Sequence, residues 1–193
     1  MNNKPIGVFD SGIGGLTVAH AIAMLMPTET IIYFGDTAHL PYGDKSPDLI
    51  HSFVKNISNF LLNEKQCKAI VIACNTASTL AIFKLREIYP NENFVGTVPA
   101  IKPAAERTRS GLVSVLATPG TVRRQYTKDL ISQYAAKCEV NLIGRTSLAK
   151  HCEVYMRGGM IDEDAVREEI APCFIEKDGK RTDIVVLACT HYP

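Results

Sequence analysis

Two cysteines in this chain each follow a short apolar segment, and the two segments resemble one another. Cys74 follows Ile70–Ala73, and Cys189 follows Val185–Ala188, 115 residues later. Both segments have the composition of buried strands, and both thiols are followed by polar residues. Since ligands bind outside the carboxyl ends of parallel strands, we predict that the two thiols face one pocket. Such a pair could act as two opposed bases on one carbon.

The chemistry expected of this pair is proton transfer. A cysteine considered alone is more often a buried packing residue, and we assign that role to Cys67, Cys138, Cys152 and Cys173. Cys74 differs because it stands at a predicted helix start, where the N-terminus stabilises a thiolate by about 0.3–2 kcal/mol. That stabilisation lowers a free-thiol pKa near 8.5 by at most about one to two units. One thiolate would remove an α-proton while the other thiol donates a proton from the opposite face.

Each thiol also needs a neighbour that takes up its proton and returns it. We expect this neighbour to be Asp10 in the first half and His191 in the second. Cys189 and His191 are also compatible with a metal site, but no further ligands at metal spacing accompany them. The sequence therefore predicts no metal centre.

Two polar loops follow predicted strands and offer groups to a ligand. Residues Asp10–Gly15 are rich in glycine but match neither the G-x-G-x-x-G pattern nor a Walker lysine motif. A helix N-terminus there favours an anion such as a substrate carboxylate, and a purely structural turn is the alternative. Residues 35–43 include Tyr42 and form either a turn-rich connection or a loop that presents backbone N–H groups and a phenol to a ligand.

Apolar runs of strand length alternate with segments of helical period, which is typical of a parallel sheet built from βαβ units. We predict strands near residues 6–10, 30–35, 68–73, 93–97, 112–117, 138–143 and 183–188. The clearest helix begins after Ser46, a good N-cap, with Pro47 at its first position. Other predicted helices cover Thr76–Ile88 with Asn75 as the cap, a segment after Pro119–Gly120, and residues 163–175.

The internal repeat extends beyond the cysteines. The segment Ile6–Gly12 resembles Leu112–Thr118, since in both a strand breaks into a small polar turn that opens a helix. The prediction is an α/β fold of two similar α/β domains with largely parallel sheets, residues 1–97 and 98–193, related by a pseudo-twofold axis. The active site is expected in the cleft between them.

The composition limits the classes of partner. The 193 residues carry a formal net charge of +1 and are 46% hydrophobic, which argues against nucleic acid or a membrane surface as the main partner. No apolar stretch approaches the roughly 18 residues of a membrane span, and the N-terminal residues lack a signal-peptide layout. Six cysteines without a Cys-x-x-Cys pair do not resemble a secreted disulfide framework. We expect a cytoplasmic protein that acts on a small molecule.

Six motifs in this order resemble those of the cofactor-independent amino-acid racemases, the aspartate/glutamate racemase family, and most closely the glutamate racemases. The resemblance covers all 193 residues, and its motifs are Gly7–Thr17, Gly35–Thr37 with Pro41–Gly43, Ala73–Ala77, Val98–Ala104, Ala117–Thr121 and Cys189–Pro193. It implies interconversion of L- and D-glutamate without pyridoxal phosphate or metal. That reaction supplies D-glutamate for peptidoglycan, and hence for cell-wall biogenesis and cell shape. The resemblance also leaves room for a homodimer.

Mapped onto matching positions, the resemblance makes Cys74 and Cys189 the two acid/base residues, assisted by Asp10 and His191. It also implies a set of residues that hold the carboxylates and the ammonium of the substrate: Asp10, Ser11, Tyr42, Gly43, Asn75, Thr76, Thr118, Thr190 and His191.

Two departures from the family pattern affect these expectations. Family members usually continue for some tens of residues beyond the second cysteine motif, so this chain is expected to be truncated at its C-terminus. Family members also often carry a Glu that supports the second thiol. Glu153 is in the right neighbourhood, but Val154–Gly159 does not match the usual surroundings, so Glu153 is not assigned.

The sequence leaves two alternatives open. One is a racemase that acts on aspartate or a related amino acid, because the length of the pocket decides the substrate. The other is a catalytically inactive, truncated protein of the same fold.

Overall fold

The computed structural model describes residues 3–193, and the chain divides into two compact units, one extending through Val98 and the other beginning at Pro99. The main sheet of each unit is parallel, and helices connect its strands. The α/β class with parallel sheets that the sequence predicted is therefore confirmed.

The first unit is built on a sheet of four parallel strands. These are β1 (Ile6–Asp10), β2 (Ile31–Gly35), β3 (Ala69–Ile72) and β4 (Phe94–Gly96). Their spatial order is β2-β1-β3-β4. The chain adds β2 on one side of β1 and then returns to add β3 on the other side. Such a reversal creates a topological switch point between β1 and β3, where open α/β sheets bind their ligands.

Helices pack against the sheet of the first unit on both faces. They are α1 (Leu16–Leu25), α2 (Pro47–Asn59) and α3 (Asn75–Ile88), with a π-helical turn at Phe60–Glu64 after α2. Val8 and Val71 contact α1, whereas Phe9, Ile70 and Ile72 belong to the core that α2 and α3 cover. Successive residues of a strand point to opposite faces, which explains why β3 and the part of β1 before Asp10 are apolar on both sides.

The predicted helix starts were right in one case and wrong in another. Ser46 caps α2, because its side chain accepts a hydrogen bond from the backbone N–H of Leu49 at 3.4 Å, and Pro47 is the first helical residue. Asn75 was predicted to cap α3, but it is the first residue of that helix and Cys74 holds the N-cap position. The thiol therefore lies directly at the helix N-terminus.

The second unit repeats the same arrangement with fewer strands in its parallel sheet. Its strands are β5 (Leu112–Ala117), β6 (Glu139–Gly144), β7 (Glu176–Lys177), β8 (Lys180–Arg181) and β9 (Ile184–Ala188). The parallel sheet has the order β6-β5-β9, whereas β7 and β8 form a separate antiparallel hairpin that the sequence did not predict. A switch point lies between β5 and β9, in the position that β1 and β3 occupy in the first unit.

Five helices belong to the second unit: α4 (Ile101–Arg107), α5 (Pro119–Val122), α6 (Gln125–Tyr134), α7 (Leu148–Met156) and α8 (Glu163–Ile170). The single helix expected after Pro119–Gly120 is divided into α5 and α6. The helix predicted over 163–175 ends at Ile170 and continues as a short 3₁₀ turn. Helices α4 and α7 were not predicted. In the described part of the chain, no helix combines the length and apolarity needed to cross a membrane.

Candidate active site

The switch point of the first unit brings Asp10 and Cys74 to the ends of neighbouring strands. The backbone N–H of Ala73 donates to the carbonyl of Phe9 at 2.9 Å, so strand pairing continues up to the residue before the thiol. The Cys74 Sγ atom lies 3.8 Å from Ser11 Oγ. We call Asp10, Ser11 and Cys74 the Cys74 cluster. All three residues are buried.

The glycine-rich loop after β1 holds the Asp10 carboxylate in place. The Oδ2 atom accepts a hydrogen bond from the backbone N–H of Gly12 at 3.0 Å, and Tyr33 donates to the carbonyl of Gly12 at 2.7 Å. A Cβ atom at Gly15 would lie 2.5 Å from the Cβ of Asp10 and 3.1 Å from that of Ala73. A glycine is therefore required there for α1 to start close to the strand ends.

The acidity of Cys74 differs from the sequence-based expectation. Burial, and after it the negative charge of Asp10, raise the pKa of Cys74 to about 12. The N–H of Ala77 at the start of α3 and the hydroxyl of Ser11 act in the opposite direction. The expected effect of the helix N-terminus is thus present, but the predicted net shift toward thiolate is wrong. In the unliganded protein Cys74 is a protonated thiol.

Asn75 and Thr76, the first two residues of α3, are both buried. Among the described residues, the Oδ1 atom of Asn75 has no hydrogen-bond partner. A buried acceptor without a donor is costly, so a ligand that brings an N–H group next to Cys74 would remove that cost. Thr97 supports the same edge, because its hydroxyl donates to the carbonyl of Ala73 at 2.6 Å.

A second acidic residue, Asp36, organises the loop after β2. Its backbone N–H donates to the carbonyl of Asp10 at 2.9 Å. Its carboxylate accepts a hydrogen bond from the hydroxyl of buried Tyr42 at 2.5 Å and lies 2.7 Å from Nδ1 of His39. Burial and the neighbouring Asp36 raise the pKa of Tyr42, so its phenol stays protonated. Gly43 lies in the same short 3₁₀ turn.

Sequence reasoning included Asp36 in a motif but gave it no role. Its position directly after a predicted strand was the available signal, since Asp10 at the end of β1 and the residue after β2 meet at one sheet edge.

The switch point of the second unit positions Cys189 in the corresponding way. Ala117 of β5 pairs with Ala188 of β9, so Thr118 and Cys189 follow two neighbouring strands. The Cys189 Sγ atom lies 3.8 Å from Nδ1 of His191. Both side chains are buried, and this places the predicted assistant within reach of the thiol.

A carboxylate that the sequence left unassigned completes this arrangement. Oε1 of Glu153, on α7, lies 2.8 Å from Nε2 of His191. The side chains of Glu153 and His191 are only 6% and 3% exposed. We call Glu153, Cys189, Thr190 and His191 the Cys189 cluster. The carboxylate contacts the imidazole and the imidazole contacts the thiol, so a proton can pass between the thiol and the imidazole.

The two threonines predicted in the second half occupy different positions. Thr118 caps α5, since its hydroxyl accepts from the backbone N–H of Thr121 at 3.4 Å and lies 3.3 Å from the hydroxyl of Thr121. The Thr190 hydroxyl lies 3.5 Å from Nδ1 of His191. Both threonines are therefore at the edge where β5 and β9 end, together with Cys189.

Four further thiols belong to neither the Cys74 cluster nor the Cys189 cluster. Cys67 and Cys173 are buried, whereas Cys138 and Cys152 are half-buried, and all of them are free. Burial raises the pKa of Cys67, Cys152 and Cys173. Among residues 3–193, no group of three or more His, Cys, Asp or Glu side chains is arranged to hold a metal ion.

Comparison with known sequences shows a family match over most of the chain. The model of the family described as Asp/Glu/Hydantoin racemase matches residues 16–193. The glutamate racemase of Mesorhizobium japonicum is 58% identical over 193 residues, which is 100% of this chain and 74% of that protein. The glutamate racemase of Sinorhizobium medicae is 60% identical over 190 residues, covering 98% of this chain and 70% of the relative.

Solved structures show the same similarity. The glutamate racemase of Escherichia coli, in complex with L-glutamate and the activator UDP-MurNAc-Ala, matches with a TM-score of 0.89 and 39% identity, over 98% of this chain and 71% of that one. The glutamate racemase of Francisella tularensis, in complex with D-glutamate, matches with a TM-score of 0.79 and 34% identity, over 100% of this chain and 71% of that one.

Proposed function

Since this chain belongs to the Asp/Glu/hydantoin racemase family, we propose that it interconverts L- and D-glutamate by proton transfer at the α-carbon. The product D-glutamate serves peptidoglycan synthesis. The observation that carries the proposal is the equivalence of Cys74 and Cys189, each of which follows a strand at the switch point of its own unit. Identity of 56–60% to glutamate racemases over nearly the whole chain supports glutamate as the substrate.

In the proposed reaction the two thiols exchange roles with the direction of turnover. One thiolate takes the α-proton, and the electron pair left on the α-carbon is delocalised into the adjacent carboxylate. The other thiol then donates its proton to the opposite face of that carbon, which inverts the configuration. The thiol that accepted the proton and the thiolate that remains must exchange protons with their neighbours before the next turnover in the same direction.

For Cys74 the proposed base is strong because its conjugate thiol is a weak acid. A pKa of about 12 means that little thiolate exists without ligand, and that the thiolate binds a proton tightly when it forms. We propose that the substrate ammonium group, accepted by the free Oδ1 of Asn75, stabilises the thiolate by its positive charge. Asp10 would assist by accepting a hydrogen bond from that ammonium group or by accepting the proton of the thiol.

For Cys189 the proposed assistant is His191. Nε2 of His191 lies 2.8 Å from Oε1 of Glu153. An ionised carboxylate only accepts, so with Glu153 ionised Nε2 donates to it and the lone pair of Nδ1 faces Cys189 Sγ. The imidazole can therefore take the proton of Cys189 before turnover in one direction and return it in the other. This chain of contacts lies wholly within the second unit.

The substrate's polar groups would be held by the other residues that the resemblance implied. We assign this role to Ser11, Tyr42, Gly43, Asn75, Thr76, Thr118 and Thr190. The units divided at Val98 and Pro99 would be the first and second racemase domains. A homodimer and a cytoplasmic location belong to the same proposal, and neither enters the mechanism.

The test is solvent deuterium incorporation at the α-carbon of L- and D-glutamate, with aspartate in parallel. We expect exchange with inversion of glutamate, loss of inversion in Cys74→Ser and Cys189→Ser, and near-normal turnover in the matched control Cys138→Ser. Turnover of aspartate alone would retain the mechanism and replace the substrate. Full activity of either of the first two variants, or no exchange by a folded sample, would contradict the proposal.

A further inference from the structure

One carboxylate in the second unit is shared between two partners. Oε1 of Glu153 lies 2.8 Å from Nε2 of His191, and Oε2 lies 3.1 Å from Nη2 of Arg157. The Glu153 side chain is 6% exposed, whereas that of Arg157 is 62% exposed. A solvated guanidinium therefore reaches a buried carboxylate that is also in contact with the imidazole beside Cys189.

We propose that Arg157 is a positioning residue that keeps Glu153 ionised and oriented, so that His191 presents a proton acceptor to Cys189. The proposal rests on the proposed function, because it concerns the thiol to which that function assigns proton transfer. It assigns a role to one residue of the segment 154–159, which the sequence left without a function.

The charge state of Glu153 decides which nitrogen of His191 carries the proton. An ionised carboxylate can only accept, so Nε2 must donate to it and Nδ1 keeps its lone pair. A neutral carboxyl could instead donate to Nε2, and the ring proton would then lie on Nδ1, which faces Cys189 Sγ at 3.8 Å. In that state His191 could no longer take the proton of Cys189.

Burial and Arg157 act on Glu153 in opposite directions. Removal from water disfavours an ionised carboxylate, and a cation at hydrogen-bond distance favours it. Arg157 is such a cation, with its Nη2 atom 3.1 Å from Oε2 of Glu153. The same contact occupies Oε2 and thereby leaves Oε1 directed at His191.

The end of α7 is built in a way that places Arg157 one turn beyond Glu153. The backbone N–H of Arg157 donates to the carbonyl of Glu153 at 3.2 Å, and that of Gly159 donates to the carbonyl of Val154 at 2.9 Å. Gly158 has a φ of +77°, a conformation that favours glycine and ends helices. The helix therefore ends at Met156 with Arg157 as its C-cap residue, and the Arg157 side chain lies on the Glu153 side of α7.

A similar pair on the next helix provides a matched control. Arg167 and Glu163 on α8 are also four residues apart, but their closest atoms are 3.9 Å apart and the side chains are 73% and 79% exposed. Exposed pairs of this kind contribute little. Arg167→Gln should therefore leave turnover unchanged, whereas Arg157→Gln should not.

The experiment compares Arg157→Gln, Arg157→Lys and Arg167→Gln by steady-state kinetics in both directions and by ¹⁵N NMR of the His191 ring. We expect Arg157→Gln to lower kcat about tenfold, the effect of losing one hydrogen bond between charged groups, with little change in KM. Its His191 Nδ1 signal should move toward that of a protonated nitrogen. Arg157→Lys keeps the charge and should recover part of both effects.

A double mutant tests whether Arg157 acts through Glu153. In a Glu153→Gln background, Arg157→Gln should have little further effect on kcat, because the group that it positions is already gone. Additive losses, or a folded Arg157→Gln variant with normal kcat and unchanged ring signals, would overturn the inference. An inactive wild-type protein would overturn the proposed function instead, and the ring signals would still report on the role of Arg157.

Discussion

At the scale of single residues, the acidity of Cys74 is determined by neighbours that act in opposite directions. Burial and the Asp10 carboxylate raise its pKa, while Ser11 and the N–H of Ala77 lower it. These contributions come from contacts that are separate in the structure, so single substitutions can change them one at a time. The sign of each change is fixed by whether the group favours the thiol or the thiolate.

We predict that Asp10→Asn makes Cys74 more acidic and Ser11→Ala makes it less acidic. A fall of one unit in the pKa gives about tenfold more thiolate at pH 8, so alkylation of Cys74 by iodoacetamide should accelerate between about threefold and tenfold in Asp10→Asn. It should slow down in Ser11→Ala. The rate is measured on the Cys74 peptide by mass spectrometry, with Cys138 in the same sample as the internal reference.

Opposite changes in the alkylation rate of the two variants would distinguish an effect on the pKa of Cys74 from an effect on the access of the reagent. If both substitutions merely loosened the packing around the buried thiol, both would accelerate its alkylation. Acceleration in both would therefore contradict the electrostatic account of Cys74.

At the scale of elements, α2 shows how a local sequence signal positions a loop of the candidate site. Ser46 and Pro47 start the helix, and Phe53 on α2 stacks on His39 with ring centroids 3.9 Å apart. His39 in turn contacts Asp36, which accepts from Tyr42. The start of α2 is thus connected by packing to the loop that carries Tyr42.

We predict that Ser46→Ala destabilises the protein by about 1 kcal/mol, the usual cost of losing an N-cap side chain. That cost corresponds to a fall of several degrees in Tm, on the order of 2–8 °C. Ser52→Ala is the matched control, since Ser52 is an exposed residue of the same helix and makes no cap. Thermal unfolding followed by circular dichroism measures both variants. Equal Tm values for the two would show that the 3.4 Å contact of Ser46 contributes nothing.

The elements that sequence reasoning predicted and those that it missed differ in physical character. The strands of the two parallel sheets were found because both faces of each of these sheets are covered, which makes the strands continuous apolar runs. Helix α7 was missed because His151, Cys152 and Glu153 interrupt its apolar pattern. Glu153 is polar at that point because it faces His191, a residue 38 positions later, and only the folded chain brings the two together.

The direction of the Cys74 pKa was missed for a related reason. The helix N-terminus is a local feature that can be read from the position of Cys74 before α3. Complete burial of the thiol and the approach of Asp10 depend on β1 lying beside β3, which is a property of the sheet. Local signals therefore identified the reacting groups, whereas their electrostatic state required the tertiary structure.

At the scale of the whole molecule, both units contain thiols and phenols that burial keeps protonated. Burial is the largest cause of the raised pKa at each of these groups: Tyr42, Cys67, Cys74, Cys152, Cys173 and Tyr192. In the unfolded chain thiols ionise near pH 8.5 and phenols near pH 10. Between these values and the higher folded-state pKa values, the unfolded chain has released protons that the folded chain retains.

We predict that the free energy of unfolding falls as the pH rises above about 8.5. The sign follows because the unfolded state binds fewer protons than the folded state in that range, so alkaline pH favours unfolding. For Cys74, whose pKa rises from 9.0 to about 12, the loss at pH 10 is on the order of 1 kcal/mol. Urea unfolding under reducing conditions at pH 7, 8, 9 and 10 measures the slope. Cys74→Ser should flatten it more than Cys138→Ser does, and a free energy of unfolding that stays constant up to pH 10 would contradict the retention of these protons in the folded protein.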